Sequence, residues 1–244
     1  MHHAVLEHWS RGPSPLHRRD PRAKLAALLV FLVLVATMPR AFSFAGAACL
    51  ALLAGAAVLG RLPLAGVLWR ACVVLPFSLV FALVTWLGGD PARALNLVSK
   101  SYLSALAALV VVAVTPMPSL LRGLEGLGVP RFLLLVTQFL YRYLFVIPEE
   151  AQHMRAASAA RGATLRGLAA RREKFRGAAG ALAVLFARSY ARAEEIHRAM
   201  LARGFAGEFR AVCVLRFGWA DAAFLLAAAS LPVAARFLAE GRLP

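Results

Sequence analysis

Three stretches of this chain, residues 41–60, 71–89 and 101–121, carry no charged side chain at all. Each is about 20 residues long, which as a helix spans the roughly 30 Å hydrocarbon core of a bilayer. Lipid offers no partner to a free backbone N–H or C=O, so a helix that satisfies its own backbone is the only open architecture there. Hydrophobic residues make up 61% of the 244-residue chain, well above soluble usage. The sequence therefore predicts an all-α, polytopic membrane protein.

Five crossings are expected. Asp20 and Pro21 form a cap-then-proline start, and the apolar run Leu25 to Met38 follows as span one, with Lys24 and Arg40 placed to snorkel at its ends. Span two is 41–60. Arg61 and Pro63 interrupt, and span three runs from Val67 or Ala71 to Leu87. Asp90 and Pro91 repeat the start signal for span four, 97–114, which stops at Thr115-Pro116-Met117-Pro118. The last apolar run, Ala222 to Ala235, is span five, with Asp221 as a cap at its beginning.

The apolar segment 131–148, "RFLLLVTQFLYRYLFVIP", also has the length of a short span, but Arg142 sits in its middle. Counting sides decides its fate. Arg11, Arg18, Arg19, Arg22 and Lys24 hold the N-terminus in the cytoplasm, and four spans return the chain there near residue 116. A crossing at 131–147 would export residues 148–218, which carry 13 Arg and Lys against 6 Asp and Glu. Basic segments stay inside, so 131–147 is expected to lie beneath or beside the spans without crossing. The resulting plan is a cytoplasmic N-terminal segment (1–22), transmembrane helices 1–4 (23–115), a helical cytoplasmic domain (116–218), and a last transmembrane helix (219–244).

The net charge of +16 suits this topology and does not call for nucleic acid. Cys49, Cys72 and Cys213 are scattered and odd in number, so they read as small hydrophobes without a disulfide or metal frame. A polar, basic first 24 residues predicts no cleavable signal peptide. His2, His3, His8 and His17 invite a metal reading, but exposed tail histidines are the ordinary case and no metal site is assigned. His153 and His197 have no catalytic partner in view. Glu149 and Glu150 follow Pro148 and lack any nucleophile, which assigns them to the first turn of a helix. Tyr141, Arg142 and Tyr143 are candidates for packing against the basic domain. The chain has no glycine-rich phosphate loop and no paired-cysteine zinc pattern.

Inside the polar insertion one short pattern occurs twice. Ala157 to Gly162 and Ala199 to Gly204 both read Ala-x-x-Ala-Arg-Gly. Both sit where helices are expected to end, with Arg complementing the dipole and Gly supplying a left-handed cap. Upstream of the first, Glu150, Met154, Ala157, Ser158 and Arg161 share a face; upstream of the second, Ile196, Ala199, Met200 and Arg203 do, and Glu194 can pair with Arg198. Arg is abundant here, 25 of 28 basic residues, so one copy carries little weight. Two copies in one insertion suggest small-faced helices that each bring a bidentate, permanently charged fork to a carboxylate of a duplicated partner.

These features resemble the transmembrane T component of energy-coupling factor (ECF) transporters, whose two coupling helices each carry an Ala-Arg-Gly-like motif. Ala160-Arg161-Gly162 and Ala202-Arg203-Gly204 match it. "SPLHRRDPRAKL" (14–25) is similar to that family's lead into the first span, and "GLGVPRFLLLVTQFLYRYLFVIPEE" (126–150) to the helix before the first motif. "RSYARAEEIHRAMLARGFAG" (188–207) is similar to the second coupling helix, and this segment and 14–25 are closest to the cobalt/nickel branch. The resemblance implies a non-catalytic subunit in the plasma (inner) membrane of a bacterium or archaeon. Two ABC ATPase subunits, holding ATP and Mg, would dock on the coupling helices, and Arg161 and Arg203 would enter their grooves. Their closing motion would pass to a substrate-binding membrane subunit, for cobalt or nickel, or alternatively a vitamin. This chain itself would bind no cofactor.

Two other classes compete. A membrane-embedded enzyme acting on lipid needs a catalytic constellation, and none is found. A free-standing permease needs polar residues along its spans, and Ser78, Thr85, Asn96, Ser101 and Ser104 are few.

Overall fold

A computed structural model describes residues 9–10, 12, 14–38, 44–161, 169–207 and 217–240. Helix is the only regular structure among them. In chain order the helices are α1 (Pro21–Thr37), α2 (Phe44–Leu59), α3 (Leu64–Ala71), α4 (Leu75–Leu87), α5 (Pro91–Ala113), α6 (Met117–Gly126), α7 (Arg131–Ala160), α8 (Ala169–Ala202) and α9 (Trp219–Glu240). They fall into two compact units, residues 1–128 with 213–244, and residues 129–212.

Local chemistry explains most element boundaries in the first unit. Asp20 Oδ1 accepts the Arg22 amide at 2.8 Å and Pro21 occupies the first turn of α1. α3 and α4 are joined by a 3-10 turn at Cys72–Val74. The cause is Pro76, which lacks an N–H and whose ring crowds the carbonyl four residues back, at Cys72. The two helices thereby make one apolar run of 24 residues, Leu64–Leu87. That run, α5 and α7 are each long and apolar enough to cross a membrane; α2 and α9 contribute shorter apolar stretches, Ala45–Leu59 and Trp219–Ala234. α1 has 17 residues. By length and composition, then, α7 qualifies as a span, although its basic surroundings led to the expectation that it does not cross.

Packing in this unit follows a membrane logic. The buried positions are largely small: Ala23, Ala27, Ala45, Cys49, Ala57, Ala71, Ala82, Ala107 and Ala113. Small residues let helix backbones approach where lipid supplies no hydrophobic drive. α4 is the clearest case, burying only Ser78 and Ala82, one turn apart, while Phe77, Leu79, Val80, Leu83 and Val84 point outward. Larger side chains fill the centre, where Phe31, Val35 and Met38 of the α1 region meet Leu53, Val67, Leu103, Leu106 and Val110. α6 lies within 116–218, the stretch assigned above to the insertion. In the structure it rests on α1, so closely that a Cβ at Gly123 would sit 3.0 Å from Leu25 Cδ1 and 3.1 Å from Pro21 Cβ.

Polar contacts fix which helix ends lie together. At the starting end of α1, the Asp20 amide donates to Asp221 Oδ1 and Lys24 Nζ donates to the carbonyl of Val114. At its finishing end, Lys100 Nζ donates to the carbonyl of Ala36 at 2.8 Å. The start of α1, the finish of α5 and the start of α9 therefore share one end of this unit.

Three sequence expectations need correction. Lys24 does not snorkel: it is 3% exposed, its ammonium held by the carbonyls of His17 and Val114. Asp90 stands at the first position before α5 but makes no side-chain bond to that helix's backbone; its carboxylate pairs with Arg93 at 2.9 Å. His17 is no exposed tail residue, since Nε2 donates to the Trp9 carbonyl and Nδ1 pairs with the Ser14 hydroxyl. His2, His3, His8, Arg40 and Cys213 lie outside the described residues.

Candidate functional site

The second unit is built from α7 and α8, the two longest helices, of 30 and 34 residues. α7 runs unbroken through Pro148. Glu149 and Glu150 are therefore mid-helix, and the first-turn role expected from the preceding proline does not hold. Glu150 instead reaches across to α8, where Arg188 Nη1 donates to its Oε1 at 2.6 Å.

On one flank of this ion pair, Tyr143, Val146 and Ile147 of α7 face Arg192 and Ala193 of α8. On the other flank, Met154, Ala157, Ser158 and Arg161 of α7 face Ala181 and Val184. Residue numbers rise along α7 as they fall along α8, so the two helices run antiparallel. The face expected from spacing at Glu150, Met154, Ala157, Ser158 and Arg161 is thus one wall of an inter-helix groove, which His153 also lines.

Each signature sits at a helix end. α7 finishes at Ala160, with Arg161 as its half-helical capping residue, whose amide donates to the Ala157 carbonyl at 3.2 Å. Gly162 lies outside the described residues. α8 finishes at Ala202. Its end closes by a Schellman motif: the Phe205 amide donates to Met200 at 3.0 Å and the Gly204 amide to Leu201 at 2.9 Å, with Gly204 at φ +76°. Ile196 and Met200 are half-buried on the inner side of this helix end, and Glu194 pairs with Arg198 at 3.1 Å.

Arg161 and Arg203 are both exposed, and among the described residues neither guanidinium has an ion-pair partner. Because the helices are antiparallel, the two arginines lie on opposite flanks of the Glu150–Arg188 contact. Arg161 stands 11 residues beyond Glu150 and Arg203 stands 15 beyond Arg188, about 16 and 22 Å along their helices. The geometry is that of two separate cationic tips rather than one shared site.

The rest of α7 is an apolar surface. Phe132, Leu133, Val136, Leu140, Leu144, Phe145 and Ile147 are all exposed within the unit, a face too large to be left in water. Tyr141 stacks edge-on against Phe145, and Arg142 is exposed. Among the described residues, no group of three His, Cys, Asp or Glu side chains could hold a metal ion. Arg188 escaped the sequence reading, because nothing local marks which arginine of a basic helix meets a carboxylate 38 residues away.

A family model described as "Cobalt transport protein", CbiQ, matches residues 12–212. The chain is 32% identical over 206 residues to the cobalt transport protein CbiQ of Rhodobacter capsulatus, covering 79% of this chain and 82% of that protein. It is also 30% identical over 104 residues to the uncharacterized protein MJ1571 of Methanocaldococcus jannaschii, a match covering 43% of this chain and 35% of the other.

Proposed function

The chain belongs to the CbiQ cobalt transport protein family, and from that premise we propose that it is the membrane scaffold that couples ATP hydrolysis by partner subunits to cobalt uptake. Its role is mechanical. Two ABC ATPase subunits, which hold ATP and Mg, dock on the ends of α7 and α8, and the chain binds no nucleotide itself. Arg161 and Arg203 each enter one ATPase subunit as bidentate forks to carboxylates. Ala160 and Ala202 keep the helix surface beside each fork low, and Gly204 stops α8 at the second; Gly162 holds the matching sequence position at the first.

The observation that carries this reading is the pair of solvent-exposed arginines, without an ion-pair partner among the described residues, at two helix ends on opposite flanks of the Glu150–Arg188 contact. A small ligand does not span tips about 38 Å apart along the helices, whereas two copies of one subunit can engage one each.

A parity argument supports a cytoplasmic location for both tips. The finish of α5 and the start of α9 share one end of the membrane unit, so the intervening chain crosses the bilayer an even number of times. α8 cannot cross: its longest uncharged run, residues 177–187, extends about 16 Å, half of the hydrocarbon core. Parity therefore argues against a crossing by α7 alone, despite its length. The basic N-terminal segment supports a cytoplasmic location for this shared end, and the proposed membrane is the plasma membrane of a bacterium or archaeon. The apolar face of α7, left without a membrane crossing, is then the seat for a hydrophobic membrane partner, the subunit that binds the cobalt ion.

Arg161→Ala combined with Arg203→Ala tests this. Each truncation leaves a partner carboxylate unpaired in an interface, a loss of about 2–5 kcal/mol. The double variant is expected to be made and folded, to lose the ATPase subunits on purification in detergent, and to take up no cobalt. Wild-type uptake by that variant overturns the proposal.

A further inference from the structure

The Glu150–Arg188 pair has no evident reason to exist for stability. Arg188 is 62% exposed and Glu150 27%, and pairs so wetted contribute little. Yet it joins the two helices at the point that divides the groove, with Tyr143, Val146 and Ile147 to one side and Met154, Ala157 and Arg161 to the other. It is also close, Arg188 Nη1 lying 2.6 Å from Glu150 Oε1, a direct charge-assisted contact between the two helices.

We propose that Glu150 and Arg188 act as a clasp that sets the crossing of α7 and α8, and so the spacing of the Arg161 and Arg203 tips. This rests on the coupling role proposed above. The two residues are positioning residues, acting through Arg161 and Arg203. Their leverage is geometric: with arms of about 16 and 22 Å, a change of about 10° in the crossing moves the tips by roughly 3 and 4 Å. Displacements of that size break a bidentate arginine–carboxylate contact, whose donor–acceptor tolerance is a few tenths of an ångström. The surrounding contacts are ill-suited to resist such rotation. On the Arg161 side of the clasp the groove walls include Ala157, Ser158 and Ala181, which are small and offer little interdigitation; the larger neighbours, Tyr143, Ile147 and Leu185, lie on the other side.

The test uses the full chain with its three cysteines replaced by alanine and spin labels at Ala159→Cys and Ala206→Cys, one beside each tip. Distances between labels are measured on the chain in lipid nanodiscs, and cobalt uptake per ATP hydrolysed is measured in vesicles holding the chain with its ATPase and metal-binding partners. Glu150→Arg and Arg188→Glu are each expected to broaden or shift the label distance by several ångströms and to lower the uptake-to-ATP ratio at least about five-fold. The charge-swapped double variant, Glu150→Arg with Arg188→Glu, is expected to restore a narrow distance and most of the ratio. Glu150→Gln, which keeps shape and removes charge, serves if a reversal fails to fold, and is expected to broaden the distance. A wild-type distance distribution in every folded variant overturns the clasp. A distance that shifts and is restored by the swap, with uptake per ATP unchanged throughout, supports the clasp and overturns the coupling role on which it was built.

Discussion

The backbone amide of Asp20 donates to Oδ1 of Asp221, 3.1 Å away and 201 residues further along the chain. The other oxygen of Asp221 accepts from the Gly218 amide. One carboxylate thus starts α9 and holds it against the start of α1, and its charge also acts on the buried ammonium of Lys24. Because Asp221 is 8% exposed and Asp20 is buried with it, the Asp20 amide has no water to turn to, whereas Gly218 is exposed.

Asp221→Ala should therefore cost more than a lost cap. The buried Asp20 amide loses its acceptor and the start of α9 loses its cap, together a penalty of about 2 kcal/mol, which lowers the thermal midpoint in detergent by roughly 4–8 °C for a chain of this size. Asp221→Asn keeps one oxygen and is expected to fall between. Combined with Lys24→Met, Asp221→Asn should cost less than the sum of the two single changes, because each removes the charge that the other leaves unbalanced. Strict additivity in that cycle means the two side chains do not interact.

How far such features are readable before a structure is known depends on their range along the chain. The Asp20-Pro21 start and the Gly204 stop are decided within a turn of helix, and both are visible as residue types at fixed offsets. The stripe Glu150, Met154, Ala157, Ser158, Arg161 is visible for the same reason. Asp221 reads as a simple cap because only its near partner, Gly218, is local. Lys24 reads as a snorkelling residue because burial of a lysine depends on carbonyls of His17 and Val114 being brought to it by folding. Pro148 misleads for a different reason. Proline favours the first turn of a helix and costs an interior turn one backbone hydrogen bond, yet α7 continues on both sides of Pro148, which residue type alone does not reveal.

α6 offers a steric test of the membrane unit. Gly123 faces Leu25 Cδ1, Pro21 Cβ and Pro21 carbonyl carbon, all within 3.2 Å of where a Cβ would be. Two of these neighbours belong to a rigid proline at the capped start of α1, so they cannot swing aside. Gly123→Ala should cost about 1–3 kcal/mol by overpacking and Gly123→Val more, read as a lower melting temperature. A neutral Gly123→Val means α6 does not seat on α1.

The end of α8 makes a conformational demand. Gly204 sits at φ +76°, and a Cβ at that position would meet nothing within 4 Å, so any cost of substitution is backbone strain alone. Gly204→Ala should cost about 1–2 kcal/mol and Gly204→Asn less. Hydrogen exchange of the Phe205 and Gly204 amides, both bonded in the Schellman motif, should quicken in the alanine variant. Gly180→Ala is the counterpart: that glycine is mid-helix in open space, and alanine there should stabilise α8 by about 1 kcal/mol. Unchanged exchange at Phe205 in Gly204→Ala would show that the motif does not hold the Arg203 tip.

The side of the membrane on which α7 and α8 lie is open to direct labelling. In a chain whose native cysteines are replaced, single cysteines are placed at Ala92, in the first turn of α5, at Ser158, beside the first signature, and at Ala206, beyond the second; all three positions are exposed. The proposed topology has Ser158 and Ala206 on the same side as the start of α1, while Ala92 lies at the opposite end of the membrane unit, since α5 finishes where α1 starts. A membrane-impermeant maleimide added to intact cells should modify Ala92→Cys and spare the other two until the membrane is permeabilised. Modification of Ser158→Cys from outside would require α7 to cross and α8 to return with its ten charged side chains, from Arg171 to Arg198, through lipid. Finding it would remove the Arg161 tip from any cytoplasmic ATPase and with it the basis for coupling through two like contacts.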